Sequence, residues 1–287
     1  MITFLAHRFA FDTVSQLDQD TSAALATIRE WRNSLVPINR VPPEVLSLIP
    51  AHFPSGNDLL RATSVCRRWR RTFIQHASLW SQVNLTVDKN PLFVKMILER
   101  AKGSALDINS SLLDADTLAL LSPHTQRFRS LKLVFDNWGD IQGFSEVTPE
   151  PLPLLDTLDI YIIEFDVFTP GNIDPPSLPL FRGAVNLKKF LLRTKQESYL
   201  NHFAFPNLTT FELKAAPDGE EFPASQLLDF LEATPTLQTV HITIKGEISL
   251  AGVPPGRIVV LSNAKNFSVA RDEPEIGRAH SELQSLV

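Results

Sequence analysis

A single cysteine, Cys66, stands among 287 residues, which excludes an intramolecular disulfide and any metal site built from several cysteines. The seven histidines are scattered singly, with no His-x-x-x-His pair and no carboxylates at metal-ligand spacing, so no metal centre is expected. No phosphate loop, dinucleotide fingerprint or nucleophile elbow occurs. No run of about 20 apolar residues is present to span a bilayer, and the opening apolar stretch 1–6 is cut off too soon by His7 and Arg8 to read as a signal peptide. These absences lead to the expectation of a cytoplasmic or nuclear protein with no cofactor, no metal, no membrane partner and no enzymatic activity. Four glycosylation sequons, at Asn84, Asn109, Asn207 and Asn266, are therefore read as chance occurrences.

What is present in quantity is apolar side chain, at 44% of the residues, enough for a substantial core in one large domain or in a small one joined to a larger one. Charge is divided unevenly along the chain. Residues 1–103 carry 13 Lys+Arg against 8 Asp+Glu, whereas residues 104–270 carry 12 against 20. A basic front and an acidic body point to two functional parts.

Stretch 40–80 has the strongest pattern. Pro42 and Pro43 suit the first turn of a helix, where an amide hydrogen would be unpaired in any case, and Glu44 suits the dipole there. Such a helix presents Val45, Leu46 and Ile49 on one face, until Pro50, Pro54 and Gly56 end it. The spacing of Leu59, Ala62, Val65, Cys66, Trp69 and Phe73 predicts a second, continuous helix from an N-cap at Asp58, with an apolar stripe about four turns long. Cys66 lies on that stripe and reads as a core residue, as unpaired cysteines usually are. The opposite face carries Arg61, Arg67, Arg68, Arg70 and Arg71, read as a solvated face partly used for a protein contact. A nucleic-acid role is not expected, because the cluster is confined to one helix and no aromatics interleave with it.

Before this stretch, Leu17, Ala24 and Trp31 recur every seven residues, with Ile28 and Leu35 four residues after the last two. This seam predicts a helix over 14–38, stopped by Pro37, that packs onto the following unit or, alternatively, pairs with another copy. After it comes an alternating run over 82–87, a helix over 91–102 capped by Gly103, a short strand over 105–108, a helix near 114–121 and another over 224–233.

The fragments at 42–46 (PPEVL), 65–70 (VCRRWR) and 78–80 (SLW), in this order, resemble the F-box, and more narrowly the F-box-like proteins of the fungal (basidiomycete) type. Val41 stands where that family usually has leucine, and the loop 50–57 is longer than in animal F-boxes. Six later segments share the form apolar-x-x-apolar-x-apolar: Phe128, Leu131, Leu133; Leu155, Leu158, Ile160; Leu187, Phe190, Leu192; Leu208, Phe211, Leu213; Leu237, Val240, Ile242; and Ala264, Phe267, Val269. This is the core of a leucine-rich repeat, irregular here because the asparagine or cysteine that usually closes a repeat is missing. Prolines 153, 206 and 235 precede three of the segments as turn residues, and a proline-rich insert spans 170–179.

The expected fold is therefore α/β: a helical lead-in over 1–38, a small helical F-box over 39–85, and an irregular leucine-rich-repeat solenoid over 86–270, a curved parallel sheet with helices or loops on its convex side. The tail 271–287 breaks the period, and 275–287 (EIGRAHSELQSLV) resembles translated sequencing-adapter read-through, so the expectation is that further repeats and a capping element belong beyond it.

What the resemblance implies is a substrate-recognition adaptor. The F-box would dock on the adaptor subunit of an SCF-type E3 ubiquitin ligase through Val41, Pro42, Pro43, Glu44, Val45, Leu46, Ile49, Val65, Trp69, Leu79 and Trp80, and the repeats would bind a target protein. Two alternatives stand beside it. One is a scaffold without ligase output, or a truncated F-box protein. The other is a hydrolase using Cys66, which the neighbouring arginines would help to ionise.

Overall fold

The computed structural model describes residues 2–53, 56–85, 90–111, 115–147, 151–163, 180–181, 183–194, 200–216 and 221–271. The insert 170–179, the end of the 82–87 run and the tail 275–287 lie outside the described residues. The chain divides into two compact units, 1–80 and 81–287.

The first unit is helical. Helix α1 spans Ile2–Ser34, α2 Pro43–Leu46, α3 Gly56–Thr63 and α4 Arg67–Gln75, with 3-10 turns at Pro37–Arg40, Ile49–His52 and Ala77–Trp80. Helix α1 starts twelve residues earlier than its seam suggested and stops at Ser34, three residues before Pro37. The Ser34 hydroxyl donates to the carbonyl of Trp31 (2.6 Å), the kind of local side-chain bond that competes with continued helix.

The single helix expected over 58–73 is two helices. Ser64 and Val65 close α3 with bonds to the carbonyls of Arg61 and Ala62, and Cys66 is extended (φ −159°, ψ 170°) as the N-cap of α4. Thr63, Ser64 and Val65 disfavour helix through β-branching or hydroxyl competition, and the Thr63 hydroxyl bonds back to the carbonyl of Leu60 at 2.7 Å. The apolar stripe is consequently broken. Val65 is exposed and Cys66 is half-buried, so neither is the core residue its spacing suggested.

The second unit is built on one parallel sheet. Strands β1 (Gln82–Asn84), β2 (Leu106–Ser111), β3 (Phe128–Phe135), β4 (Thr157–Ile162), β5 (Lys189–Thr194) and β6 (Thr210–Ala215) are followed by β7 (Phe222–Pro223), β8 (Thr239–Ile244), β9 (Ile248–Ser249) and β10 (Asn266–Arg271). Eight of them pair in the order β1-β2-β3-β4-β5-β6-β8-β10, while β7 and β9 form a separate pair. Within each sheet every pairing is parallel. Strand β1, at the end of the stretch 39–85, is thus the first strand of the sheet. The helices between strands are α5 (Pro91–Ala101), α6 (Ala115–Leu121), α7 (Trp138–Val147) and α8 (Ala224–Glu232).

All six apolar segments place their last two members on these strands and in register. One row runs Leu131, Leu158, Phe190, Phe211, Val240, Phe267, and a second runs Leu133, Ile160, Leu192, Leu213, Ile242, Val269. Because side chains alternate along a strand, both rows point to one face. That face is the core, and all of these residues are buried except Phe267, which is half-buried. Helices α7 and α8 pack on it: Phe144 meets Phe135 at 5.9 Å between ring centres, and Phe230 meets Phe211 at 4.6 Å.

The first member of a segment also has a repeated geometry. The amides of Leu155, Leu187, Leu208, Leu237 and Ala264 each bond the carbonyl three residues back, closing a turn just before the strand. Side chains then link successive turns. Asn186 donates to the carbonyl of Pro153 (2.8 Å), Asn207 to that of Val185 (2.8 Å), Thr236 to that of Pro206 (3.1 Å) and Asn263 to that of Pro235 (3.0 Å). Prolines 153, 206 and 235, expected as entry turns, thus also supply acceptors to the next turn. Helix α5 ends differently from expectation. Its left-handed residue is Lys102 (φ 47°), not Gly103.

Phe190 is the hub of the core, with ring centres of Phe203, Phe205 and Phe211 at 4.9, 5.1 and 5.8 Å. Truncation there leaves a cavity that a stiff parallel sheet cannot collapse. Phe190→Ala is expected to destabilise the second unit by about 3–5 kcal/mol in urea unfolding. Acid should weaken the same unit. Burial, and for His124 also the charge of Arg127, hold His124 and His202 below the ordinary imidazole value of 6.5. The unfolded chain therefore takes up protons first, and stability is lost as pH falls through 6.5. The thermal midpoint is expected to drop between about pH 7.5 and 5.5, and His124→Gln with His202→Gln to flatten that slope.

Candidate functional site

The first unit is fastened by a few polar contacts that the apolar pattern does not predict. Asn39, in the 3-10 turn after α1, donates from Nδ2 to the carbonyl of Asn33 (2.9 Å) and accepts at Oδ1 from the indole of Trp69 (2.8 Å). One side chain thereby joins the end of α1 to α4. The Trp69 ring stands edge-on to Phe73, with centres 5.4 Å apart. Phe73 is buried, and its carbonyl accepts from the indole nitrogen of buried Trp80 at 2.9 Å. A line of contacts from Asn39 through Trp69 and Phe73 to Trp80 sets the spacing of the helices.

The arginines belong to this framework as much as to solvent. Arg68 donates to the carbonyl of Val41. Arg70 Nε donates to the carbonyl of Thr63 (3.0 Å), satisfying the C-terminal end of α3 across the break. Arg67 pairs with Glu30 of α1 at 2.9 Å, and Arg61 with Asp58 at 3.3 Å. The solvated basic face expected from the sequence is therefore partly a set of backbone clamps.

The expected docking residues separate into two groups. Leu46 and Trp80 are buried in the folded chain and cannot offer free surface; they anchor the unit, because the one-turn helix α2 needs a core contact to persist. Val41, Ile49, Trp69 and Leu79 are half-buried, while Pro42, Pro43 and Glu44 are exposed. Val45 is 50% exposed and Val65 59%. Leu48, absent from the expected set, is 64% exposed. It sits in the turn between α2 and the 3-10 turn at Ile49–His52, off the face that Leu46 buries. Pro42, Pro43, Val45 and Leu48 thus form a short, locally continuous apolar surface, and α2 rests on α4.

A cleft of about 470 Å³ lies between the end of α1 and α4, lined by Glu30, Asn39, Cys66, Arg67, Arg68 and Arg71 among others. No histidine is among the described residues lining it. The Cys66 thiol therefore has arginines beside it but no imidazole base there. Among the described residues, no group of three or more His, Cys, Asp or Glu is placed to hold a metal ion, and no helix is long and apolar enough to cross a membrane.

Removing Asn39 takes the acceptor from the Trp69 N–H and one of two donors from the Asn33 carbonyl, which keeps its bond from the Val36 amide (3.2 Å). Asn39→Ala is expected to cost the first unit about 1–3 kcal/mol, read as a lower urea midpoint in tryptophan fluorescence.

Comparison with known proteins agrees with this geometry. Residues 38–86 match the model of the F-box-like family, covering the 3-10 turn that holds Asn39, helices α2 to α4 and strand β1. A search of the curated proteins finds no match to the chain. The chain carries an F-box-like domain at 38–86.

Proposed function

We propose that this protein is a substrate-recognition adaptor of an SCF-type E3 ubiquitin ligase, in the cytoplasm or nucleus, with the F-box-like domain docking on the ligase's adaptor subunit. The observation that carries the reading is the exposed apolar surface of Pro42, Pro43, Val45 and Leu48 within the family-matched region. Apolar side chains fixed on a short, clamped helix suit a permanent protein partner better than water. Leu46, Trp69 and Trp80 act behind them as supports, and Val41, Glu44, Ile49, Val65 and Leu79 complete the docking set.

The second unit is, in this reading, an irregular leucine-rich-repeat domain of the fungal type. Support comes from the sequential parallel strand order, the recurring turn before the strands and the Asn and Thr links between turns. Its target-binding face is the strand face opposite the core. One row there runs Lys132, Asp159, Leu191, Glu212, His241, Ser268. Cross-strand ion pairs such as Arg193–Asp159 (3.2 Å) hold parts of that face in place. Ubiquitin transfer is assigned to other subunits, and this chain supplies binding alone.

The test separates docking from folding. Val45→Asp with Leu48→Asp is expected to weaken binding of the purified adaptor subunit at least about tenfold in titration calorimetry, at an unchanged urea midpoint. Leu46→Asp puts a charge into the core and is expected to unfold the first unit. Unchanged affinity in the Val45 and Leu48 double variant would refute the proposed surface.

A further inference from the structure

We propose that α1 is a self-association helix that pairs antiparallel with α1 of a second copy of this chain. The inference is independent of the ligase reading. The seam, for which sequence patterning allowed either packing onto the following unit or pairing with another copy, is in water: Leu17, Ile28 and Trp31 are 60%, 60% and 67% exposed, and Val14, Thr21, Ala24 and Leu35 are exposed with them. These seven residues occupy alternating spacings of three and four, a and d positions of a heptad pattern; the six from Val14 to Trp31 cover about 26 Å of helix axis, and Leu35 follows directly after the end of α1. Leu25, also exposed, widens the stripe at its centre. Among the described residues, the side-chain ion pair that joins α1 to the rest of the unit, Glu30–Arg67, lies off the seam and would survive pairing.

Residue size and charge select the partner and its direction. In an antiparallel pair centred near Ala26, Trp31 faces Thr21 of the second copy, Ile28 faces Ala24, and Leu17 faces Leu35. Large meets small in the middle four layers, two kinds of pair each occurring twice by symmetry, and Leu25 meets its own copy beside the axis. The flanking charges agree, because Asp18 then faces Arg32 of the second copy, twice by symmetry. A parallel pair would instead stack Trp31 on Trp31 and Ala24 on Ala24. It would also gather Asp18 and Asp20 of both copies at one end, and Arg29 and Arg32 at the other. A two-fold antiparallel arrangement closes on itself, as most homodimers do.

The full chain should therefore pass from 32.1 kDa toward twice that mass as concentration rises in sedimentation equilibrium. Trp31→Glu should hold it at the monomer mass, with helix content by circular dichroism unchanged because the side chain is exposed. Asp18→Arg should weaken the dimer by opposing Arg32, and Asp18→Arg combined with Arg32→Asp should restore it. Monomer at every concentration would overturn the proposal, as would a dimer that Trp31→Glu leaves intact. A dimer indifferent to Asp18→Arg would overturn the antiparallel arrangement.

Discussion

A parallel sheet cannot turn straight back on itself. Each strand must be followed by a connection that returns to the starting edge, and in this chain the connections carry the helices that cover one face. That constraint decides the second unit. Two unbroken rows of apolar side chains fill the covered face, and the six strands from β3 to β10 in the main sheet contribute to both. The opposite face carries mostly polar and charged residues, and it is the face proposed for target binding. A single residue inserted within a strand would reverse its faces, so register decides which side chains the outer face presents.

The turns before the strands answer a second need. Backbone groups at the entry to each strand must be bonded where the ladder has not yet begun. An amide at the first apolar position closes the turn, and an Asn or Thr side chain from the next turn takes up a carbonyl left over. Neither bond is strong in isolation, but together they hold successive strand entries in line. In the helical unit the same role falls to Asn39, Arg68 and Arg70, each satisfying a carbonyl or indole where a helix starts or stops. These polar fasteners join the elements around the exposed apolar residues of α2 and of the turn that follows it.

Much of the second unit could be read directly from residue order, since period-two alternation and a recurring apolar triplet report which side chains face the core. Strands at Leu158–Ile160 or Phe211–Leu213 are legible for that reason. The helical unit was less so. Periodicity through Val65 and Cys66 predicts one helix, yet the hydroxyl and β-branched run from Thr63 break it, a local effect that a stripe cannot register. Leu46 and Trp80 look like docking residues because they are apolar in a matched motif, but pattern does not distinguish the residue that anchors a helix from the one it displays. Leu48, three residues after Val45, lies in the turn just beyond α2, and Asn39 is polar between two apolar runs. Lys102 in a left-handed conformation, where Gly103 stood ready, has the same lesson on a smaller scale.

In the proposed function, a small helical unit with an apolar surface and a sheet that presents polar rows together bring a target to a ligase. That function requires the helical unit to recruit the ligase's adaptor subunit and, through it, the cullin. Co-purification of the intact chain with the purified adaptor subunit and cullin tests this most directly. Retention of both in one complex is the expected result. Failure to retain the adaptor subunit would contradict it, and retention of the adaptor subunit without the cullin would leave a scaffold in place of a ligase component.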